Sequence, residues 1–202
     1  MKFKICGLLI LMFMLTGCGK QDGVDTNVKV DTNVKVDTGV DVKTDVDVTT
    51  DAEREPYYLT FEAVTLDGDI ITSDCFAQSK LTMVNIWGTY CGPCIEELPA
   101  LGEIASEYDT SELQVLGFLS DVDESASEEA KEEAKELVET TGAAYPHLLL
   151  NEDLYYELLS GVSAVPTTLF FNQEGEALGY LVGARSKEAW KEVIDELLAE
   201  MQ

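Results

Sequence analysis

Apolar and polar positions alternate in three different ways along this chain of 202 residues, and each predicts a different kind of segment. Ile5–Leu15 is a nearly unbroken apolar stretch behind Lys2 and Lys4. It is too short for a membrane-crossing helix, which needs about 20 residues, and it fits the apolar part of a secretory signal. From 20 to 56 valine recurs among Asp, Thr, Asn and Lys, with no Leu, Ile or aromatic residue. The hexad Val24–Lys29 returns letter for letter as Val30–Lys35, then decays through Val36–Asp41. Two good copies are too few to bury a core, so the segment reads as a solvated tether rather than stacked strands. As a flexible coil, residues 20–56 would average roughly 30–40 Å end to end.

From Tyr57 the pattern is that of a globular domain. Tyr58–Leu66 and Ile70–Ser73 flank Asp67, Gly68 and Asp69, a hairpin signal. Leu81–Trp87 and Leu113–Leu119 are apolar runs of strand length with turn chemistry around them. Between them Ile95, Leu98, Leu101, Ile104 and Ala105 share one helical face. Ser127–Thr141 reads as a helix with a thin stripe of Ala130, Ala134, Leu137 and Val138, closed by Gly142. His147–Leu150 is a short strand, and Leu154–Leu159 a helical turn or two. Val165, Pro166 and Thr167 open a strand to Phe171, which turns at Glu174–Glu176 into Ala177–Val182. A helix over Lys187–Met201 places Trp190, Val193, Ile194, Leu197 and Leu198 together. This order predicts an α/β fold: a mixed sheet with helices on both faces and an N-terminal hairpin.

Charge removes whole classes of partner. The chain has 39 acidic and 13 basic side chains, a net charge of −26, and residues 57–202 hold 29 of the acidic and 6 of the basic ones. Nucleic acid is excluded as a partner, because its phosphates must be neutralised by Lys and Arg. Docking on anionic lipid through a basic patch is excluded too.

The five cysteines are Cys6, Cys18, Cys75, Cys91 and Cys94. Leu15, Thr16, Gly17 and Cys18 resemble the bacterial lipobox, which implies cleavage before Cys18 and lipidation of its sulfur. The resulting division is a signal peptide over 1–17, a lipidated tether over 18–56 and a domain over 57–202. Two acyl chains suffice for stable membrane anchoring. Three thiols then remain outside the cytoplasm, where disulfides persist. Cys91 and Cys94 form a Cys-x-x-Cys pair at the junction of a buried strand and a helix. There the free N–H groups and the positive helix end stabilise a thiolate on Cys91, and Cys94 lies one turn inward, where it can attack a mixed disulfide. Pro93 is tolerated in the first turn, where its missing N–H has no partner to lose. Cys75 reads as a small buried apolar residue, and His147, without a visible second ligand, as structural.

Here a family resemblance becomes specific. The run Val84–Trp87, the segment Trp87–Cys94 and the triplet Glu97, Leu98, Pro99 resemble the membrane-anchored thiol–disulfide oxidoreductases of the TlpA/ResA type, within the thioredoxin-like fold. The resemblance covers roughly residues 57–202. It implies a cis-proline loop at Val165, Pro166, Thr167 and Thr168 facing the cysteines, and it makes the Ser127–Thr141 helix an insertion. Asn85 stands where thioredoxin has a buried aspartate. Glu97 occupies the place of the glutamate to which this subfamily gives the proton of the second cysteine, and i+3 spacing puts it on the helix face of Cys94. The alternative role for Glu97, as for Glu96, is to complement the helix dipole. Both carboxylates oppose a thiolate on Cys91, which is expected to be less acidic than in strongly oxidising dithiols.

The implied substrate-binding residues are Trp87, Tyr90, Gly92, Pro93, Val165, Pro166 and Thr167, with core packing as the competing role for Trp87. No cofactor or metal is expected beyond the dithiol. The implied partners are disulfide or dithiol proteins outside the cytoplasm and a membrane thiol carrier as electron donor, as in cytochrome c maturation. Rival readings are a metallochaperone, which lacks further ligands, and a thiol peroxidase. The peroxidase would place a threonine where Gly88 stands. An inactive interaction module is disfavoured by the intact cysteine pair.

Overall fold

The computed structural model describes residues 55–201. The signal peptide, Cys6, Cys18 and the tether lie outside the described residues, apart from the last two tether positions.

The strands are β1 (Glu62–Val64), β2 (Ile70–Thr72), β3 (Leu81–Trp87), β4 (Leu113–Asp123), β5 (His147–Leu150), β6 (Thr167–Phe171) and β7 (Ala177–Val182). The helices are α1 (Gly92–Glu107), α2 (Glu128–Thr141), α3 (Glu152–Glu157) and α4 (Lys187–Glu200). Five strands form one sheet in the order β5-β4-β3-β6-β7, parallel across β5, β4 and β3 and antiparallel across β3, β6 and β7. β1 and β2 make the separate hairpin, turning through Gly68. This is the α/β thioredoxin-like architecture, hairpin and inserted α2 included.

Strand β3 organises the interior because it is buried along its whole length. Alternation sends Leu81, Met83 and Trp87 to one face, with Cys94, Leu98 and Leu101 of α1 and with Trp190 and Ile194 of α4. Val84 and Ile86 point to the other face, with Phe61, Phe76, Phe118 and Phe171. α3, through Leu154, and its C-cap residue Leu158 close that second face, so helices cover both sides of the sheet.

Each longer helix begins on a side-chain cap. Ser127 accepts from the Ala130 N–H and Ser186 from the Ala189 N–H, satisfying donors that a helix start leaves free. Gly142 ends α2 in the left-handed conformation, φ 71°. Several elements depart from the bounds the pattern predicts; β4, for one, runs on to Asp123 instead of ending at Leu119. The first hairpin strand is confined to Glu62–Val64, because Tyr57–Leu59 instead pair with Gly175–Ala177 at the start of β7. Ser73, expected to end a strand, instead opens a 3-10 helix over Ser73–Gln78 that buries Cys75 and Phe76. No helix among the described residues is long and apolar enough to cross a membrane.

Candidate active site

The site lies where β3 ends and α1 begins. Gly88 to Tyr90 make the turn between them, and Asp121 of β4 holds it, its carboxylate accepting from the Thr89 N–H (3.0 Å) and the Thr89 hydroxyl (2.6 Å). A Cβ on Gly88 would lie 2.7 Å from the Tyr90 ring and 3.0 Å from Ser120 Oγ, so a side chain there would push the exposed Tyr90 ring out of its present place.

Cys91 caps α1, its sulfur accepting from the Cys94 N–H at 3.3 Å. Cys91 and Cys94 are joined as a disulfide with their Cα atoms 5.2 Å apart. Cys94 is sealed in the core at 1% exposure, whereas Cys91, at 7%, reaches the surface beside exposed Gly92 and Pro93. Across from them the Val165–Pro166 peptide bond is cis, and the Val165 carbonyl lies 3.7 Å from Cys91 Sγ. The Thr167 hydroxyl donates to the Ala164 carbonyl at 2.7 Å, bracing the same loop. Cys91, Cys94, Gly92, Pro93, Val165, Pro166 and Thr167 are thus brought together.

Trp87 requires a correction. Its side chain is wholly buried, so it offers no platform to a substrate; the sheet alternation that turns Leu81 and Met83 inward turns Trp87 inward as well. Its indole N–H donates to His147 Nδ1 at 3.1 Å. Tyr90, at 72% exposed, is left as the aromatic surface of the site.

Glu97 sits on the buried face of α1 at 3% exposure. Its Oε1 accepts from Trp190 Nε1 at 2.6 Å and from the Arg185 backbone N–H at 2.8 Å, and its Oε2 faces Asn85 Nδ2 at 3.4 Å. Burial pushes the carboxyl above the ordinary glutamate value, and these three donors and the Arg185 charge only partly oppose it. A surface role as a dipole complement does not fit a side chain so enclosed. Exposed Glu96 can still play that part.

His147 is buried and fully engaged. Beyond the Trp87 contact, its Nε2 faces the Ala143 carbonyl at 3.0 Å and its ring stacks on Tyr145. Burial pushes it down to about 4, which keeps the ring neutral. With both nitrogens committed it has no lone pair for a metal. Among the described residues no cluster of three His, Cys, Asp or Glu side chains could hold one. Cys75 is a free thiol buried beneath the opposite face, raised by that burial.

Comparison with known proteins fits this geometry. The AhpC/TSA family model matches residues 58–176. The chain belongs to this thioredoxin-like family. The chain is 31% identical over 125 residues to a thioredoxin of Staphylococcus epidermidis, covering 62% of this chain and 89% of that one. It is 23% identical over 118 residues to the thiol-disulfide oxidoreductase ResA of Halalkalibacterium halodurans, covering 58% of this chain and 62% of that protein. A thiol:disulfide interchange protein of the thioredoxin family from Chlorobium tepidum superposes with a TM-score of 0.61 at 22% identity, covering 72% of this chain and 99% of that one. The chain therefore spans less than two thirds of the ResA length.

Sequence reasoning missed two members of the site in this AhpC/TSA chain. Trp190 reads from its spacing as one more apolar residue of α4, and Arg185 falls between the last expected strand and the last expected helix without a role. The available signal was scarcity: Arg185 is the single arginine in residues 57–202.

Proposed function

We propose that this protein is a thiol–disulfide oxidoreductase that reduces disulfides of proteins outside the cytoplasm. It is held to the membrane by lipid on Cys18 and set off from it by the tether. The observation that carries the reading is the Cys91–Cys94 disulfide at the start of α1, directly facing the Val165–Pro166 loop.

In the dithiol state the Cys91 thiolate attacks one sulfur of a substrate disulfide, forming a mixed disulfide and expelling the other sulfur as a thiolate. Glu97 takes the proton of Cys94, and the Cys94 thiolate attacks Cys91 Sγ. The second substrate sulfur leaves, and Cys91–Cys94 is left oxidised. The substrate gains two electrons, and a dithiol carrier in the membrane restores them. A carboxyl raised by burial suits this exchange of a proton with a thiol. The loop around cis-Pro166 offers backbone for pairing with the substrate chain, and Tyr90, Gly92 and Pro93 complete the exposed rim.

Two rivals lose support at particular residues. A peroxidase would use a threonine hydroxyl where Gly88 has no side chain at all. A metallochaperone would need His147, whose nitrogens are both engaged.

The test is to express full-length Cys94→Ser and isolate what stays joined to Cys91. Exported proteins with paired cysteines are expected, and capture of an apocytochrome c would place the protein in cytochrome c maturation. Capturing no protein in mixed disulfide would refute the oxidoreductase reading. A dithiol potential near about −120 mV, that of a strong oxidant, would refute the reductive direction.

A further inference from the structure

One short loop touches both halves of the site. Residues 183–186 link β7 to α4, and the loop starts with Gly183 at φ 93°, a conformation side chains rarely adopt. The Gly183 N–H donates to the Pro166 carbonyl at 2.8 Å. Two residues later the Arg185 N–H donates to Glu97 Oε1 at 2.8 Å. The Arg185 side chain folds back on its own loop: Nη1 donates to the Gly183 carbonyl at 2.8 Å and reaches the Val182 carbonyl at 3.4 Å. Its guanidinium lies 5.1 Å over the Trp190 ring. Trp190 in turn donates to the same Glu97 oxygen at 2.6 Å.

We propose that Arg185 and Trp190 are positioning residues that fix the Glu97 carboxyl group in one orientation, and that Arg185 also ties it through Gly183 to the Pro166 loop. This rests on the reading of Glu97 as the acceptor of the Cys94 proton. A buried carboxyl turning freely could meet Cys94 only part of the time. Two donors on Oε1 leave Oε2 as the freer oxygen, since Asn85 holds it only at 3.4 Å and spends its other contact on Thr168 Oγ1 at 3.1 Å. The indole and the guanidinium reinforce each other, because the cation stacked on the ring strengthens the pull of its N–H on a carboxylate.

The groups facing Glu97 make the sign of the effect definite. Arg185 comes from the loop ahead of α4, neutral Trp190 from α4 and neutral Asn85 from β3. Tyr145, from the segment ahead of β5, is a buried phenol held neutral, with Glu97 among the causes. On α1 itself Cys94 lies one turn before. The Trp190 N–H and the Arg185 charge each favour the ionised carboxyl, so removing either makes Glu97 harder to ionise. The Arg185 backbone N–H stays in every Arg185 variant, and its side chain acts through its charge and through the loop it braces.

The experiment uses the full chain labelled in glutamate, with the Glu97 carboxyl carbon assigned by its disappearance in Glu97→Gln. Its NMR titration is compared with the pH profile of disulfide exchange. Trp190→Phe and Arg185→Ala are each expected to raise the Glu97 midpoint by about half a unit or more, and the exchange profile by the same amount. Arg185→Lys keeps the cation and should recover part of the shift. Arg185→Ala should also raise KM for a disulfide peptide about threefold through the loosened Pro166 loop, whereas Trp190→Phe should leave KM unchanged. Arg185 lies on a partly exposed loop, so its variants decide the matter even where Trp190→Phe fails to fold. A Glu97 midpoint unmoved in the Arg185 variants overturns the proposal. A midpoint that moves while the exchange profile stays fixed overturns instead the reading of Glu97 as proton acceptor.

Discussion

The two faces of the five-stranded sheet are equally dry but chemically unlike. Beneath β3 on the side of Val84 and Ile86, the interior is aliphatic and phenyl surface, and its ionisable member is Cys75. On the side of Met83 and Trp87 the same depth of burial holds Cys91, Cys94, Glu97, His147 and Tyr145. Those polar groups are tolerated because almost every one has a named partner. Glu97 has three donors, and His147 has both nitrogens engaged. The difference teaches that burial alone makes a thiol inert, as at Cys75. Burial beside a helix start and an ionisable neighbour prepares one for exchange.

The sharpest way to break this contrast is to delete chemistry from the second face. Cys94→Ser should bring catalysed insulin reduction down to the uncatalysed background while the circular dichroism spectrum stays native. Residual turnover would mean that another thiol substitutes for Cys94. Deleting packing from the first face should do the reverse. Phe76, fully enclosed and in contact with both Phe61 and Phe171, should cost about 3–5 kcal/mol as Phe76→Ala in denaturant unfolding, with the dithiol potential unchanged.

Acid supplies a finer cut. His147 goes from 6.5 to about 4 on folding, so between those values the unfolded chain binds a proton that the native one refuses. Stability from this group is whole above 6.5 and falls by roughly 3 kcal/mol as pH drops towards 4. Glu97 acts in the opposite sense: raised on folding, it takes stability away as pH rises through its native value. Urea melts from pH 4 to 7 should therefore flatten for His147→Gln at the acid end. An unaltered slope there would assign the acid sensitivity to other groups. The smallest effect is expected at Cys75→Ala, about 1 kcal/mol with full activity. In the wild type, mass-mapped alkylation should reach Cys75 only after unfolding.

How far the sequence foretold this depended on whether a contact is local. β3 over Leu81–Trp87, β5 over His147–Leu150 and β7 over Ala177–Val182 have the expected bounds, because each is a short patterned run with turn chemistry beside it. The Cys-x-x-Cys pair and Pro166 were legible for the same reason, as compact motifs. The 3-10 helix at Ser73–Gln78 was not, since six residues carry too little periodicity to tell it from a strand end. Trp87 was ambiguous because a strand-terminal tryptophan can face either way, and only the β3 register settles it. The partners of Glu97 were beyond reach: Arg185 and Trp190 stand 88 and 93 residues further along the chain. No local pattern marks a donor at that separation.

The pairing of each tryptophan has a practical use. The chain contains two, both wholly buried, and each indole N–H is committed to a different ionisable side chain, Trp87 to His147 and Trp190 to Glu97. The protein thus carries a pair of internal optical reporters. Ultraviolet emission followed against pH, in the native chain and in its two single-tryptophan variants, would display the charge state of each neighbour without any attached dye.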